Sequence, residues 1–136
     1  MHADPTIDWP ALRSAALEMT LRSYAPYSHV RVGAAALADD GRVVAGCNVE
    51  NASSGLGICA EVNAAGRLVA TGGGRIVAIA VVAADGEPIT PCGRCRQVLH
   101  EFGGPGLLID RPGGPRPLGE LLPDAFGPGD VEGRAG

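Results

Sequence analysis

Three cysteines and one glutamate in two short segments have the types and spacing of a catalytic metal site. Cys59 and Glu61 lie in Cys59-Ala60-Glu61, and Cys92 and Cys95 follow about one βαβ unit later in Pro91-Cys92-Gly93-Arg94-Cys95. Three thiolates around tetrahedral Zn²⁺ leave a fourth position for water, which distinguishes a catalytic zinc site from a closed structural one. The metal would lower the pKa of that water, and Glu61 would carry protons between water and substrate. The pattern predicts a zinc-dependent hydrolytic site.

The cysteine spacing also leaves two other interpretations open. Cys47 could complete a four-thiolate structural zinc site, although it lies in a strand-like run and is more simply a buried thiol. Cys92 and Cys95 could form a redox pair of the thioredoxin type, which would leave Cys59 and Glu61 without a role. A site with three zinc ligands and one proton carrier explains all of these residues except Cys47.

Composition narrows the class of protein. The chain has 136 residues, 46% hydrophobic and 19% charged, with a net charge of −4, so we predict one globular domain over residues 1–136 and no nucleic-acid partner. No apolar run is long enough to span a bilayer, which predicts no membrane partner. Residues 1–5 lack the charged start of a secretory signal, which predicts a cytoplasmic protein. In a reducing cytosol, clustered cysteines favour metal binding over disulfides.

Periodicity predicts an alternation of helices and strands. The first helix is predicted from an Asp8 N-cap to about Tyr24, with an apolar stripe of Trp9, Leu12, Ala16 and Met19. Two β-like runs, 30–38 and 42–47, flank a turn and predict an antiparallel hairpin. The remaining predicted elements are a polar loop over 48–57, helices over 58–70, 92–102 and 118–122, strands over 76–83 and 107–110, and an irregular tail from about 127.

This order predicts a mixed sheet with helices on its faces. The predicted helices place Cys59 in a first helical turn and Cys92 and Cys95 at a helix start. If the strands before these two helices are neighbours in the sheet, both helix N-termini emerge at the same edge. The partial positive charge of each N-terminus would then favour the thiolate form of the cysteines.

Over nearly its whole length, apart from the two ends, the sequence resembles the small homo-oligomeric cytidine deaminases. The resemblance implies a three-layer α/β/α sandwich with a mixed sheet and one Zn²⁺ per chain on three cysteines. It also implies hydrolysis of cytidine and 2′-deoxycytidine to uridine and 2′-deoxyuridine with release of ammonia, a reaction of pyrimidine salvage. The motifs that carry it are Tyr24-Ala25-Pro26-Tyr27-Ser28, Gly46-Cys47-Asn48-Val49-Glu50-Asn51-Ala52, Ile58-Cys59-Ala60-Glu61, Pro91-Cys92-Gly93-Arg94-Cys95-Arg96-Gln97 and Leu121-Leu122-Pro123-Asp124-Ala125-Phe126.

The resemblance assigns substrate contacts to residues near these motifs. Asn48 and Glu50 would hold the ribose 3′-hydroxyl; without the surrounding motif they would be interpreted as a loop-capping amide and a solvated carboxylate. The Ala60 carbonyl and the Glu61 carboxyl would engage the amide edge of the pyrimidine. Val30 stands where the base is contacted in these enzymes.

Other residues are assigned supporting roles. Arg96 and Gln97 would hydrogen-bond backbone or thiolate and so orient the zinc ligands. Phe126 would reach the pocket of a neighbouring subunit, which implies a homotetramer with shared active sites. His29 and His100 are interpreted as surface or hydrogen-bonded histidines and not as metal ligands.

Four positions depart from the family pattern. Val30 replaces a usual Phe, Ser54 a common Tyr, Gly57 a common Thr and Val62 a frequent Arg. The loss of bulk at Val30 and Ser54 predicts a wider pocket with relaxed base or sugar specificity. The loss of Arg at position 62 leaves three thiolates around one Zn²⁺ with excess negative charge, for which Arg96 and the helix N-termini are predicted to compensate.

Three alternative functions remain. The nearest is deamination of another aminopyrimidine nucleoside, such as a base-modified cytidine or an antibiotic of the blasticidin S type, although the Asn48 and Glu50 pair favours an ordinary ribose or deoxyribose. A non-catalytic zinc module would require Cys47 as a fourth ligand. Nucleic-acid editing is disfavoured by the acidic charge balance.

Overall fold

A five-stranded mixed sheet lies at the centre of the structure, a computed structural model that describes residues 6–134. Its strands are β1 (Val32–Ala38), β2 (Val43–Cys47), β3 (Ile76–Ala83), β4 (Leu108–Ile109) and β5 (Arg116–Pro117). They lie in the order β2-β1-β3-β4-β5. β1 is antiparallel to both β2 and β3, β3 is parallel to β4, and β4 is antiparallel to β5. The predicted hairpin is confirmed, whereas the two-residue β5 carries no periodicity and was not predicted.

Helices cover both faces of this sheet and make the three predicted layers. The helices are α1 (Trp9–Thr20), α2 (Ala60–Ala70), α3 (Gly93–Gly103) and the short α4 (Leu118–Leu121), with 3-10 turns at Ser54–Leu56 and Pro128–Asp130. On one face, Leu12 and Ala16 of α1 pack against Ala35 of β1 and the even-numbered residues 78–82 of β3. On the other face, residues of α2 and α3 such as Leu68 and Leu99 pack with the opposite side of the strands. No helix within residues 6–134 has the length and apolar character needed to cross a bilayer.

Two glycines allow the helices to approach the sheet closely. A Cβ at Gly46 of β2 would lie 2.6 Å from the Ala64 nitrogen and 2.7 Å from the Ala60 oxygen, so any side chain there would push α2 away. At Gly33 of β1, a Cβ would overlap the carbonyl oxygen of Ala16 in α1. Because α2 begins beside Cys59, the close contact at Gly46 also fixes the position of that cysteine relative to the sheet.

The first helix begins as predicted and ends earlier. The Asp8 carboxylate accepts a hydrogen bond from the Ala11 N–H at 3.0 Å, which caps α1. The helix stops at Thr20, not at Tyr24, because Tyr24 pairs with a distant segment: its N–H donates to the Asn48 carbonyl at 3.0 Å, and its carbonyl accepts from the Glu50 N–H at 2.8 Å. This pairing joins the end of the first helical segment to the loop that follows β2.

Two details of the cysteine placement differ from expectation. Cys59 and Cys92 have extended backbones and are the N-cap residues of α2 and α3, so Cys59 precedes its first helical turn, whereas Cys92 lies at a helix start as predicted. The strands before these helices, β2 and β3, are not sheet neighbours, because β1 lies between them. Both run antiparallel to β1 and therefore in the same direction. Their carboxyl ends still meet at one edge of the sheet.

The two ends of the chain bear on two further predictions. The tail predicted as irregular from about residue 127 contains the 3-10 turn Pro128–Asp130, where the Asp130 carboxylate accepts from the Gly127 N–H at 2.8 Å. Residues 1–5, which carry the prediction about a secretory signal, lie outside the described residues, as do residues 135–136.

Candidate active site

Three cysteines meet at the edge of the sheet where α2 and α3 begin. The Sγ atoms of Cys59, Cys92 and Cys95 all lie within 4.8 Å of one another. Cys59 and Cys92 occupy the N-caps of the two helices, and Cys95 lies in the first turn of α3 and is fully buried. Sulfur donors at this spacing suit Zn²⁺, and three donors leave one tetrahedral position for a non-protein ligand.

Burial and neighbouring groups shift the pKa values of the three thiols. Burial raises the pKa of the Cys95 thiol, and the charges of Glu61 and Cys59 raise it further. Burial likewise raises the pKa of Cys59. Burial opposes ionisation of Cys92 as well, but hydrogen bonds from the Cys95 N–H and the neighbouring thiols outweigh it and lower the pKa of Cys92. Zinc ligands must be deprotonated, so a divalent cation bound to these three thiols would favour their thiolate forms.

The remaining cysteine does not join this cluster. Cys47 is half-buried in β2 and pairs across the sheet with Gly33. Among residues 6–134, the group of thiols close enough to share one metal ion contains Cys59, Cys92 and Cys95 and not Cys47. The structure therefore does not support a closed four-thiolate site, and a redox pair restricted to Cys92 and Cys95 would ignore the third thiol beside them.

Glu61 is a buried carboxyl group next to the thiols. It lies in the first turn of α2 and is only 5% exposed. Burial raises its pKa, which backbone and Cys95 hydrogen bonds only partly offset. A carboxyl group with a raised pKa exchanges protons more readily near neutral pH than a solvated glutamate does. The burial of Glu61 beside the thiols therefore favours proton transfer by this residue.

A cavity of about 210 Å³ is lined by Cys59 and Cys92 of the cluster and by Glu61. Its wall combines polar groups near the cysteines with aliphatic side chains, and no aromatic residue of the described part of the chain lines it. The lining residues are Val32, Asn48, Cys59, Ala60, Glu61, Val81, Ile89, Thr90 and Cys92. Sequence reasoning missed Val32, Val81, Ile89 and Thr90. The position of Thr90 next to the Pro91-Cys92 motif is a sequence signal that could have identified it.

Asn48 lines the cavity with an amide that is held by the protein. Its Oδ1 accepts hydrogen bonds from the Val32 N–H at 2.9 Å and from the Ser23 hydroxyl, and its Nδ2 donates to the Val30 carbonyl at 2.9 Å. One N–H of the amide remains free of these contacts. The side chain is therefore fixed in orientation and retains one donor.

Glu50 lies outside the cavity lining and holds the loop beside it. Its Oε1 accepts from the N–H groups of Tyr27 at 3.0 Å and Ser28 at 3.1 Å, and its Oε2 accepts from the Ser28 hydroxyl. The bond from the Ser28 hydroxyl is the largest cause of a lowered Glu50 pKa, and the backbone bonds lower it further. The carboxylate is fixed and remains ionised to lower pH than usual.

Other residues that the sequence assigned to the substrate are spread around the site. Ala60 is fully buried and lines the cavity. Val30 and Phe126 are 53% and 60% exposed, and neither lines it. Of the departures from the family pattern, Ser54, Gly57 and Val62 also lie outside the lining.

Arg96 and Gln97 contact backbone carbonyls and not sulfur. The Arg96 guanidinium donates from Nε to the Pro91 carbonyl at 2.9 Å and from Nη1 to the Leu121 carbonyl at 2.9 Å. The Gln97 amide donates to the Phe126 carbonyl at 2.8 Å. Arg96 thus holds the residue before a cysteine of the cluster, and Gln97 holds the segment that carries Phe126.

Comparison with known proteins agrees with this geometry. Residues 10–109 match the family described as the cytidine and deoxycytidylate deaminase zinc-binding region. A curated relative, cytidine deaminase of Mycobacterium tuberculosis H37Rv, is 58% identical over 127 residues, covering 93% of this chain and 96% of the relative. Cytidine deaminase of Halalkalibacterium halodurans is 46% identical over 96 residues, covering 71% of this chain and 73% of the relative.

Solved structures give the same result for the fold. The crystal structure of cytidine deaminase from Mycobacterium tuberculosis superposes with a TM-score of 0.88 at 58% identity, covering 90% of this chain and 99% of that one. Cytidine deaminase from Burkholderia pseudomallei superposes with a TM-score of 0.78 at 46% identity, covering 88% of this chain and all of that one. With its α/β/α layers and its three clustered thiols, the chain belongs to the zinc-binding cytidine and deoxycytidylate deaminase family.

Proposed function

We propose that this protein hydrolyses cytidine and 2′-deoxycytidine to uridine and 2′-deoxyuridine, with release of ammonia. The observation that carries the proposal is a cluster of three thiols, two of whose cysteines, Cys59 and Cys92, line one cavity with the buried Glu61. Relatives up to 58% identical over most of the chain bear the name cytidine deaminase, which supports the same substrate class.

One Zn²⁺ per chain would be held by Cys59, Cys92 and Cys95. When bound, the ion lowers the pKa of a coordinated water and so provides a nucleophile at neutral pH. The N-caps of α2 and α3 direct partial positive charge at the thiolates, which offsets part of their negative charge.

Glu61 would move the protons of the reaction. Hydrolysis adds the oxygen of one water to C4 of the pyrimidine and breaks the bond from C4 to the exocyclic nitrogen. The two protons of that water must reach N3 and the departing amine, and Glu61 is the buried carboxyl group beside the cavity that can carry them. The Ala60 carbonyl, at the same helix start, would accept a hydrogen bond from the amide edge of the base.

The sugar would be held on the loop side of the cavity. Asn48 retains one free amide N–H, and the Glu50 carboxylate is fixed by Ser28, so the pair can donate to and accept from the ribose 3′-hydroxyl. This arrangement favours a nucleoside with an ordinary ribose or deoxyribose. An antibiotic of the blasticidin S type is not favoured by any contact in the cavity.

The wall of the cavity motivates a further proposal about the base. The lining is aliphatic where it is not polar, and Val30 is exposed outside it. We expect relaxed tolerance of substituents on the base, because a wall without aromatic bulk leaves room for them. Equal losses of kcat/KM on 5-substituted cytidines in this enzyme and in its Mycobacterium tuberculosis relative would contradict this.

The assembly and cellular setting form part of the same proposal. The exposed Phe126, held near Gln97, is suited to reach a neighbouring subunit, so we propose a homotetramer with shared active sites. We also propose that residues 1–136 form a single domain and that the enzyme works in cytoplasmic pyrimidine salvage, with no nucleic-acid or membrane partner. Sedimentation of the purified protein would test the oligomeric state.

The decisive experiment separates metal binding from proton transfer. Glu61→Gln should keep one zinc per chain and lower ammonia release from cytidine by about 100-fold or more, because the amide cannot carry protons. Glu18→Gln removes an exposed carboxyl group of α1 and serves as the control. Deoxycytidine and blasticidin S are assayed in the same preparation. Wild-type protein that binds zinc but releases no ammonia from cytidine or deoxycytidine would refute the proposed function.

A further inference from the structure

Asn63 joins the helix that carries Glu61 to the strand that leads to Asn48. It lies half-buried in the first turn of α2, two residues after Glu61. Its backbone N–H donates to the Cys59 carbonyl at 3.2 Å, and its side-chain Nδ2 donates to the Cys47 carbonyl at 2.7 Å. One residue therefore contacts the backbone of a proposed zinc ligand and the backbone of the residue directly before Asn48.

The Cys47 carbonyl depends on such a donor because it lies at an edge of the sheet. Within residues 6–134, β2 is an edge strand that pairs with β1. The Asn48 N–H donates to the Val32 carbonyl of β1 at 3.2 Å, and the backbone groups of successive residues in a strand face opposite sides. The Cys47 carbonyl thus faces away from β1, and the Asn63 amide takes the place of a strand partner.

The close contact between α2 and β2 brings Asn63 within reach of this carbonyl. A Cβ at Gly46 would lie 2.9 Å from the carbonyl carbon of Asn63, so the two backbones are in direct contact here. Backbone bonds hold the part of the loop that follows Asn48, where the N–H groups of Val49 and Ile58 each donate to the other residue's carbonyl at 2.9 Å. Asn63 is therefore a side chain whose removal loosens Asn48 without removing any contact of the Asn48 amide.

The two sides of the cavity are linked through this bond. The Asn48 amide is hydrogen-bonded to β1 and to the segment before it, whereas the proton carrier Glu61 lies on α2. The bond from Asn63 to Cys47 ties α2 to the residue next to Asn48, so a nucleoside held by its sugar keeps its base beside Glu61. This step rests on the proposed function, in which Asn48 binds the ribose 3′-hydroxyl.

We propose that Asn63 is a positioning residue for sugar recognition, which acts through the Cys47 carbonyl and holds Asn48 where it binds the 3′-hydroxyl. Asn63 lies outside the cavity lining, so its effect on the substrate passes through Asn48. The sugar is held in the same way before and during the reaction at the base. A misplaced Asn48 therefore weakens binding of the substrate and of the transition state alike, and the loss appears in KM and not in kcat.

The test removes the amide donor and leaves the helix intact. Asn63→Ala and Asn63→Leu both lack the donor, and Asn63→Leu keeps the branched shape. We expect each variant to raise KM for cytidine about fivefold, with little change in kcat and with one zinc per chain retained. Arg67→Ala is the matched control, because Arg67 lies one turn further along α2 and is exposed. The melting temperature of every variant is measured alongside.

A nucleoside without the 3′-hydroxyl separates sugar positioning from a general weakening of the site. For 3′-deoxycytidine, kcat/KM should agree within about twofold between the wild type and Asn63→Ala, because the contact that Asn63 positions is missing. Equal losses on cytidine and 3′-deoxycytidine, or an unchanged KM for cytidine, would overturn the role of Asn63 and leave the proposed deamination standing. Equal kcat/KM of the wild type for the two nucleosides would do the same. A wild type that deaminates neither cytidine nor 2′-deoxycytidine would overturn both.

Discussion

The metal end and the loop end of the cavity are built in different ways. At the metal end, Cys59 and Cys92 cap two helices, and Cys95 and Glu61 lie within their first turns and are buried. At the loop end, residues 24–30 are mostly exposed and are joined to the rest of the chain by the hydrogen bonds of Asn48 and Glu50. The functional side chains are therefore positioned by packed secondary structure at the metal end and by a few polar side chains at the loop end.

This difference predicts how each end responds to mutation. A packed site on helix termini loses function when a ligand or a close contact is removed, because little else can compensate. A loop held by several hydrogen bonds loses them one at a time, so single changes there produce smaller shifts. The expected effects of mutation therefore decrease from the metal end to the loop end.

Removal of one thiol should have the largest effect. We expect Cys59→Ala to lose tightly bound zinc and about a thousandfold or more of ammonia release from cytidine, since the remaining pair of thiols cannot hold the ion firmly. Cys47→Ala is the matched control, because Cys47 lies outside the cluster. Metal analysis of both proteins, purified side by side, measures the first effect. Equal zinc loss in the two variants would show that the fourth cysteine also contributes a ligand.

The close approach of α2 to β2 should be the next most sensitive feature. Gly46→Ala places a Cβ against the backbone of Ala60 and Ala64, and we expect it to lower the free energy of unfolding by about 1–3 kcal/mol and to weaken zinc binding. Gly66→Ala is the control within α2, since a Cβ there meets nothing within 4 Å and should stabilise the helix by about 0.5–1 kcal/mol. Chemical denaturation measures both. A Gly46→Ala protein as stable as the wild type would mean that α2 shifts freely.

Arg96 tests whether the cluster depends on the segment before Cys92. Arg96→Ala removes both hydrogen bonds to the Pro91 and Leu121 carbonyls, and we expect zinc affinity or activity to fall about 10-fold or more. Arg75→Ala is the matched control, because Arg75 binds the Glu101 carbonyl at the far end of α3 with a bond of 3.1 Å. Competition with a chelator measures zinc retention. Full activity and full metal content in Arg96→Ala would refute a supporting role for this residue.

The metal end was also the part of the molecule that the sequence predicted best. The spacing of Cys59, Cys92 and Cys95 identified a cluster that the structure brings within 4.8 Å. Strand β3, Ile76–Ala83, matches the prediction at both ends, because a continuous apolar run is itself the signal of a strand buried on both faces. Local sequence patterns are enough to predict a motif or a strand whose own residues carry the characteristic spacing.

The loop end depends on contacts between distant segments, which no local pattern encodes. The pairing of Tyr24 with Asn48 and Glu50 ends the first helical segment early, and the Asn48 amide finds its partners at Val30 and Val32. The cavity likewise takes its wall from strands and turns far apart in sequence. Its aliphatic residues, among them Val81 and Ile89, carry only the general signal of a core position.

The smallest predicted effect concerns the charge of Glu50. The Ser28 hydroxyl is the largest cause of its lowered pKa, so the carboxylate stays ionised to lower pH than usual. Ser28→Ala removes that bond, so the Glu50 pKa should rise toward its ordinary value. If ionised Glu50 binds the sugar, the acid limb of kcat/KM for cytidine should move to higher pH, with kcat at neutral pH nearly unchanged. Ser53→Ala, at an exposed serine of the neighbouring loop, is the control. Identical pH profiles for Ser28→Ala and the wild type would show that ionised Glu50 does not bind the substrate and only holds the loop.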